Sequence, residues 1–284
     1  LPEQTLRHPL IDAVVIGEGE NALVTLINYL EGKKVKPLGC GIKKKNKIYI
    51  FEQQKKFVDP EKIPMPAWDL FKNLNEYFPS KDNNILPVIS SRGCPFKCAF
   101  CHNANVNVRK YLGPYRVTSA NRIIDEYEFI QSKIKNKIGM INADSDYHLV
   151  SKDYLRNWCE TMKKRAPNIK WGTCGRYSSM DLEMVEMLKK SNCVEINLGV
   201  ESGSKRIQEF NCKVIDLKKA MIIGRALTKS KIFLINTYIL GHPTETLDDL
   251  KQTIRYIRKI PASSNIVQIY RPIPGTPYYE LSVK

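Results

Sequence analysis

From residue 85 onward, short apolar segments alternate with amphipathic ones, and this alternation limits the folds that the chain can adopt. Six apolar runs have the length of buried strands: Leu86–Ser90, Gly139–Asn142, Ile169–Thr173, Val194–Val200, Ile232–Leu240 and Ile266–Tyr270. The segments between them repeat apolar residues at helical spacing: Ala120–Lys135, Lys152–Arg165, Asp181–Lys190, Asp216–Lys229 and Thr246–Lys259. Strands separated by helices pair in parallel, so we expect an α/β fold, either a barrel-like wrap or a doubly wound sheet.

Both of these folds bind ligands beyond the carboxyl ends of their strands. Polar or turn-forming residues stand at these ends after the second to sixth strands: Asp144 and Asp146, Arg176, Glu201 and Ser202, Gly241-His242-Pro243 with Glu245, and Pro272–Thr276. Each group alone has a local explanation, because such residues also end strands, and Asp144 with Arg176 could form a structural ion pair. Five groups at one edge nevertheless predict a site there.

Three cysteines, Cys94, Cys98 and Cys101, lie within eight residues after the first predicted strand. Eight extended residues span roughly 25 Å, so three thiolates that bind one metal centre require this segment to wrap. Gly93 and Pro95 favour such a loop, because glycine adopts unusual backbone angles and proline lacks an amide proton. The cysteine loop is therefore a candidate metal site at the predicted ligand-binding edge.

Four interpretations of the cysteine loop compete. A Cys3His zinc site would use His102, although structural zinc ligands usually come from two separated pairs. Residues 98–102 also match the C-x-x-C-H haem pattern, which leaves Cys94 unused, and a disulfide with a spare thiol suits an oxidising compartment. The fourth interpretation is an iron–sulfur cluster held by three thiolates, with one iron open to another ligand.

The other five cysteines lie singly in apolar or helical patterns, where cysteine is usually a small buried hydrophobe. We predict this structural role for Cys40, Cys159, Cys174, Cys193 and Cys212. A chain with 284 residues is not a short disulfide scaffold, so we expect a reducing cytoplasm as its compartment.

The residues before the alternating region predict a smaller α/β segment. A strand over 12–16, a helix over 20–30 and a hairpin of 38–42 with 48–51 follow from their apolar patterns. Gly17-Glu18-Gly19-Glu20-Asn21-Ala22 matches a dinucleotide fingerprint, but two carboxylates would then face the pyrophosphate. We therefore expect a tight turn whose acids cap the helix.

A proline-rich segment separates this part from the alternating region. Pro60, Pro64 and Pro66 lie within seven residues, which excludes regular structure and indicates a linker. We expect three divisions: an α/β part over 1–58, a linker over 59–84 and the main domain over 85–284.

The net charge of +16, from 45 basic and 29 acidic residues, admits a nucleic-acid partner. The lysines, however, are scattered through nearly every segment, which favours a solvated surface over a binding stripe. The chain contains no run of about eighteen apolar residues and no secretory signal pattern, so we expect no membrane span. It lacks an initiator methionine, and we expect it to be part of a longer protein.

Cys94-x-x-x-Cys98-x-x-Cys101, with Phe100 before the last cysteine, resembles the cluster motif of the radical S-adenosylmethionine (SAM) enzymes. Later segments resemble further signatures of that family: Gly199–Ser204, Leu240–Thr246 and Pro272–Pro277. Earlier segments resemble the end of a cobalamin-binding domain and the linker after it: Gly17–Glu20 and Pro64–Leu70. The resemblance implies a partial six-stranded (β/α) TIM-like radical SAM barrel, preceded by the C-terminal part of an α/β cobalamin-binding-type domain.

The resemblance also implies cofactors and their ligands. Cys94, Cys98 and Cys101 would hold a 4Fe-4S cluster, and its open iron would bind the methionine part of SAM. One electron would then cleave SAM to a deoxyadenosyl radical that abstracts hydrogen from the substrate. The residues expected around SAM are Phe100 and Gly241 at the adenine, and Asn142, Asp144, Arg176, Glu201 and Ser202 at the methionine and ribose. His102 is expected not to bind the metal.

The cobalamin-dependent branch of this family consists mostly of methyltransferases, so we expect methyl transfer to a small-molecule or peptide substrate. Cobalamin would be a further cofactor, and flavodoxin or ferredoxin would donate electrons. The cobalamin-ligating Asp-x-His-x-x-Gly motif is absent from these residues. The alternatives are a methylthiotransferase-like enzyme that modifies RNA, an oxidative cyclase, and a non-enzymatic zinc or haem module.

Overall fold

The computed structural model of the chain describes residues 2–45, 47–54, 56–104, 106–143, 145, 147–149 and 151–283. These residues form two compact units. The first unit comprises Leu1–Pro64 with Val106–Pro114, and the second comprises Met65–Asn105 with Tyr115–Lys284. The expected divisions at 1–58, 59–84 and 85–284 stay predictions.

The first unit is built on a small antiparallel sheet. Its elements are α1 (Pro2–Leu6), β1 (Ala13–Val15), α2 (Gly19–Leu30), β2 (Cys40–Lys44), β3 (Lys47–Ile50) and α3 (Val106–Leu112). Strand β2 pairs with both β1 and β3. Ala22 and Leu26 of α2 pack on Cys40 and Ile42 of β2, so the apolar face of the helix closes the core. The predicted strand, helix and hairpin are each present within two residues.

The glycine-rich turn before α2 is explained by close packing. Gly17 has φ +88°, and a Cβ there would lie 2.5 Å from the carbonyl oxygen of Tyr111. Glu18 precedes α2 but makes no side-chain capping bond. Its Oε2 instead accepts a hydrogen bond from the Val58 amide at 2.9 Å, so the expectation that this acid caps the helix is wrong.

The second unit contains a parallel sheet whose strand order follows the chain. The elements are β4 (Asn84–Pro87), β5 (Ser91–Arg92), β6 (Arg116–Val117), α4 (Ala120–Lys133), β7 (Ile138–Ala143), α5 (Lys152–Arg165), β8 (Lys170–Gly175), α6 (Leu182–Lys190), β9 (Cys193–Glu201), α7 (Lys205–Phe210), α8 (Leu217–Lys229), β10 (Phe233–Leu240), α9 (Leu247–Lys259), β11 (Ser264–Ile269) and α10 (Pro277–Ser282). The sheet order is β11-β10-β9-β8-β7-β4, and all five pairings are parallel.

This order decides between the two predicted architectures. A doubly wound sheet reverses its strand order at a switch point, whereas here every connection advances one strand in the same direction. Right-handed connections of that kind place their helices on one face, and the sheet curls into a partial barrel. The predicted six-stranded TIM-like fold is therefore confirmed.

The helices begin where side chains can cap their free amides. Ser119, Ser151, Asp181, Asp216 and Thr246 each accept a hydrogen bond from an amide in the first turn of α4, α5, α6, α8 and α9. A cap of this kind typically stabilises a helix by about 1 kcal/mol, so these residues fix where each crossover helix begins.

His148 is a buried histidine of the second unit that lies among aromatic rings. The ring of His148 lies 4.3 Å from that of Trp158 and 6.0 Å from that of Trp171. Its Nδ1 is 2.6 Å from the Thr173 hydroxyl. Burial lowers the pKa of His148 to about 3, so this imidazole is neutral in the folded protein.

The single cysteines have unequal surroundings. Cys40, Cys159 and Cys193 are buried as predicted, and Cys174 is half-buried at the end of β8. Cys212 is exposed, so its predicted role as a buried hydrophobe is wrong. It follows α7 with φ +53°, in a turn that leaves the helix instead of continuing it.

In the part of the chain that the structure describes, no helix is both long and apolar enough to cross a membrane.

Candidate active site

The cysteine loop follows β4 and is held by hydrogen bonds to its backbone. Gly93, with φ +73°, turns the chain into the loop. The amide of Ala99 donates to the Asn211 carbonyl at 3.1 Å, and its carbonyl accepts from the Tyr278 amide at 3.3 Å. The Cys101 amide donates to the Cys98 carbonyl at 3.0 Å. The loop is thus tied at its centre to two segments that are distant in the sequence.

Asn211 and Tyr278 form a buried clamp on the cysteine loop. Both residues are fully buried, and the Tyr278 hydroxyl donates to Asn211 Oδ1. Tyr278 is placed by the predicted Pro272–Pro277 motif, where Thr276 caps α10 by accepting from the Tyr279 amide at 3.1 Å. This motif therefore has a structural task at the loop.

Arg176, which follows β8, contacts the cysteine loop directly. Its Nη1 donates to Cys98 Sγ at 3.3 Å, and its guanidinium lies 3.9 Å from the ring centroid of Phe96. The residue is buried, with 8% of its surface exposed. Hydrogen bonds to cluster sulfurs tune the reduction potential, so Arg176 is placed to affect a cluster here. The predicted alternative, an ion pair with Asp144, lies outside the described residues.

The donor chemistry of the loop fits an iron–sulfur cluster. Cys94, Cys98 and Cys101 are half-buried, and thiolates are the ligands that such clusters use. An N–H donor already reaches one of the three sulfurs. Among the described residues, no three His, Cys, Asp or Glu side chains are gathered as metal ligands, so the fit rests on donor chemistry. His102, the alternative zinc ligand, is exposed.

A cavity of about 700 Å³ extends from the cysteine loop along the ends of β9, β10 and β11. It is lined by Phe100, Cys101, His102, Glu201, Thr237, Tyr238, Ile239, Gln268, Ile269, Tyr270, Arg271 and Ile273. Its volume is within the range of small-molecule and cofactor sites. The structure therefore brings Phe100, Cys101 and Glu201 together at one cavity, and the roles predicted for them at the cluster and at SAM stay predictions.

Glu201 lies in this wall, and one of its two carboxylate oxygens accepts a hydrogen bond from the protein. Its Oε1 accepts a hydrogen bond from Lys213 Nζ at 2.6 Å, and both residues are buried. Its Oε2 accepts no hydrogen bond from any residue that the structure describes. The backbone of Glu201 has φ +67°, which is unusual for a residue other than glycine. One acceptor atom of a buried carboxylate is thus left at the cavity.

Ser202 points away from the cavity, unlike Glu201 beside it. Its hydroxyl is fully buried and lies 3.2 Å from that of Thr253 on α9. Its carbonyl accepts from Gln208 Nε2 at 2.7 Å. Asn142, inside β7, is likewise absent from the cavity wall, and its carbonyl accepts from the Val88 amide. The roles predicted for these two residues at SAM stay predictions.

The turn after β10 contains Gly241 and His242. Gly241 has φ +79°, and no atom lies within 4 Å of a Cβ built there, so its backbone stands open. Its amide donates to Glu245 Oε2 at 2.5 Å. His242 is buried between the rings of Phe100 and Tyr278, and burial lowers the pKa of its imidazole.

Sequence reasoning did not assign a role to Lys213 or to the wall formed by β10 and β11. Lys213 follows the short helix α7, where nothing local separates it from the other 44 basic residues. Thr237, Tyr238 and Gln268 lie inside strand patterns that the apolar periodicity already explains. Only the tertiary contacts identify these residues.

Comparison with known protein families gives one match over the main unit. The sequence model of the Radical SAM superfamily matches residues 88–257. An uncharacterized methyltransferase of Pyrococcus horikoshii is 28% identical over 99% of this chain and 60% of its own length. The anaerobic magnesium-protoporphyrin IX monomethyl ester cyclase of Cereibacter sphaeroides is 28% identical over 96% of this chain and 45% of its own length. The chain thus spans about half the length of these relatives.

The fold also resembles solved structures. The radical S-adenosylmethionine methyltransferase TsrM of Kitasatospora setae, with tryptophan and aza-SAM bound, superposes with a TM-score of 0.75 at 15% identity. The match covers 94% of this chain and 53% of TsrM. A second TsrM structure, with cobalamin and a [4Fe-4S] cluster bound, gives a TM-score of 0.74.

Proposed function

Because the chain belongs to the Radical SAM superfamily, we propose that it is an enzyme that cleaves SAM reductively and transfers a methyl group with the help of cobalamin. The observation that carries this proposal is the cavity that begins at Phe100 and Cys101 of the cysteine loop and reaches Glu201. A ligand there would touch the cluster-binding loop and the strand ends together. We propose SAM as that ligand.

The three cysteines have the central task in this proposal. Cys94, Cys98 and Cys101 hold the cluster, and Arg176 donates to a sulfur of Cys98. A [4Fe-4S] cluster, when bound, supplies the electron that breaks the sulfonium bond of SAM and a free iron site for its methionine part. Asn211 and Tyr278 keep the loop closed at Ala99.

The remaining residues bind and shield the nucleoside. Phe100 packs on the adenine, and the open backbone of Gly241 approaches it. Glu201 accepts a hydrogen bond from the ribose or from the methionine ammonium. Ile239 and Ile269 give that part of the cavity an apolar lining. Asn142, Asp144 and Ser202 are retained as proposed ligands of the methionine and ribose groups, Ser202 through its fixed backbone.

The methyl-transfer part of the proposal is supported by the named activities of the methyltransferases from Pyrococcus and Kitasatospora. The TsrM structure with bound cobalamin supports that cofactor. A small-molecule or peptide acceptor, an acidic electron donor such as flavodoxin or ferredoxin for this basic chain, and a cytoplasmic location complete the proposal.

Oxidative ring formation is the second candidate, because the Cereibacter relative is a cyclase at the same identity. The two reactions differ in the fate of the methyl group of SAM. With SAM labelled in that group, a methyltransferase incorporates label into its product, whereas a cyclase releases the label in methionine.

Cluster content tests the proposal. The wild-type chain should bind about four iron and four sulfide ions after anaerobic reconstitution, and Cys98→Ala should lose most of both. Cys212→Ala is the matched control, because this exposed cysteine lies outside the loop and should leave the iron content unchanged. Equal iron in wild type and Cys98→Ala, or equal losses in both variants, would contradict the assignment.

A further inference from the structure

The ion pair between Glu201 and Lys213 is costly for the fold, and the backbone around it is unusual. Only 9% and 8% of the two side chains are exposed, so both charges are removed from water. Glu201 holds a positive φ that disfavours a side chain. A Cβ at Gly199 would lie 2.3 Å from both Glu201 Oε1 and Lys213 Nζ, so the pair would have to shift to admit one. An apolar pair of similar size would avoid the cost of burying two charges, so the charges call for a functional explanation.

One buried side chain fixes the backbone on both sides of this pair. Gln208 donates from Nε2 to the carbonyl of Ser202 at 2.7 Å, next to Glu201. Its Oε1 accepts from the Ile215 amide at 3.1 Å, and its carbonyl accepts from the Lys213 amide at 2.9 Å. The carboxylate and the ammonium group are therefore held at one spacing by the fold.

The pair leaves its negative partner at the cavity and its positive partner behind it. Glu201 lines the cavity, whereas Lys213 is absent from the lining. The Lys213 ammonium occupies Oε1, and Oε2 receives no hydrogen bond from the described part of the chain. The imidazole of His242, which faces Glu201 from the turn after β10, is neutral because it is buried. Among the described residues, Lys213 is the basic side chain that pairs with this carboxylate, whereas Arg271 lines the cavity without an ion pair to it.

We propose that Lys213 is a positioning residue: it holds the Glu201 carboxylate by Oε1, so that Oε2 accepts a hydrogen bond from a hydroxyl or ammonium group of the cavity's ligand. The inference rests on the proposed function only in taking that ligand to be SAM. It assigns to Lys213 no contact with SAM itself.

A double-mutant cycle tests this role on the cluster-reconstituted protein. Equilibrium dialysis measures SAM affinity for wild type, Lys213→Met, Glu201→Gln and the double variant. Each single variant should bind SAM about tenfold or more weakly, as for loss of a hydrogen bond to a charged group. The double variant should bind no more weakly than Glu201→Gln, because Lys213 acts through Glu201.

Gly199→Ala is a second test of this role, and it leaves both charged side chains in place. The added Cβ displaces the pair, so SAM affinity should fall by a similar factor. Met162→Ala, at a buried position of α5 away from the cavity, is the control for lost stability. It should lower the melting temperature and keep wild-type SAM affinity. If Lys213→Met, Glu201→Gln and Gly199→Ala also lower only the melting temperature and keep wild-type SAM affinity, the positioning role is overturned.

Further measurements identify which group of the ligand donates to Glu201, and they distinguish failure of this inference from failure of the proposed function. If 5′-deoxyadenosine binding weakens in parallel in Lys213→Met, the donor is a ribose hydroxyl; if it is unchanged, the donor is the ammonium group of the methionine part. Wild-type affinity in Lys213→Met, or additive losses in the double variant, refutes the inference. A wild type that holds a cluster and binds no SAM refutes the proposed function instead.

Discussion

Glu201 and Asp249 are two buried carboxylates in the same unit, each paired with a basic residue, and they differ in how many acceptor sites the protein uses. Asp249 accepts from the hydroxyl of Ser204 at 2.6 Å and from the amide of Thr246 at 2.9 Å, and it also pairs with Arg206. The Arg206 guanidinium, with these other donors, holds the pKa of Asp249 below its usual value. Both of its oxygens are occupied, whereas Glu201 uses one.

The difference separates a carboxylate that holds the fold from one that is available to a ligand. Burial does not separate them, because Asp249 is 3% exposed and Glu201 is 7% exposed. Asp249 joins α9 to the segment before α7, and it is not among the residues that line the cavity at the cysteine loop. Glu201 has an unused acceptor and lines the cavity. The number of acceptor sites left over is therefore the more informative property.

The largest expected effect is on stability at Asp249. Asp249→Ala removes several charge-assisted hydrogen bonds, so the free energy of unfolding should fall by about 3 kcal/mol. SAM affinity of the folded variant should stay close to that of wild type. Denaturant unfolding and equilibrium dialysis measure the two quantities. A variant of wild-type stability that has lost SAM affinity would reverse the comparison.

A smaller effect is expected from acid at His148, which is also buried without a place in the cavity wall. The folded imidazole has a pKa of about 3, against an ordinary value of about 6.5 in the unfolded chain. The unfolded chain therefore binds the proton first as pH falls, and stability is lost below about pH 6.5 and down towards pH 3.

This difference in proton binding makes the free energy of unfolding depend on pH by a measurable amount. Between about pH 7.5 and about pH 5.5, wild type should lose about 1.4 kcal/mol of unfolding free energy from this group. His148→Gln should lack that loss, because glutamine does not titrate. Denaturant unfolding of both proteins at the two pH values is the measurement. The same pH slope in the variant would assign the acid sensitivity to other groups.

The smallest expected effect concerns two buried tyrosines, one whose hydroxyl bonds at the candidate site and one whose hydroxyl bonds within the fold. The hydroxyl of Tyr278 donates to Asn211 at the cysteine loop, and that of Tyr177 donates to Asn236 at 2.7 Å inside the sheet. Removing either hydroxyl should destabilise the protein by about 1 kcal/mol. Only Tyr278→Phe should also lower the iron bound after reconstitution, because only this bond clamps the loop. Equal iron contents in Tyr278→Phe and Tyr177→Phe would show that the clamp does not affect the cluster.

The sequence predicted the sheet well because its information is local. Apolar runs with helical segments between them identify β7 to β11 and the helices α4, α5, α6, α8 and α9 without any knowledge of contacts, whereas the short helix α7 was not predicted. The same argument left the barrel and the doubly wound sheet open, because strand order is a property of tertiary structure. The direction of each crossover decided it.

The candidate site was predictable where residues follow strands or share a loop. Glu201 and the three cysteines were predicted in that way, and the structure places Phe100, Cys101 and Glu201 at one cavity. Lys213 could not be found, because its partner lies on the other side of α7 and pairing depends on the turn after that helix. Arg176 was placed at the right edge, but its contact with Cys98 is visible only in three dimensions.

The agreement between strand order and chain order affects how the protein can be assembled during synthesis. Each new strand of the parallel sheet can pair with the strand of that sheet made just before it, so the sheet can grow from β4 to β11 as the chain emerges. The bond between Ala99 and Tyr278 cannot form until α10 has been made. Until then the cysteine loop lacks half of its clamp, and we expect this interval to be when iron–sulfur assembly machinery reaches it most easily.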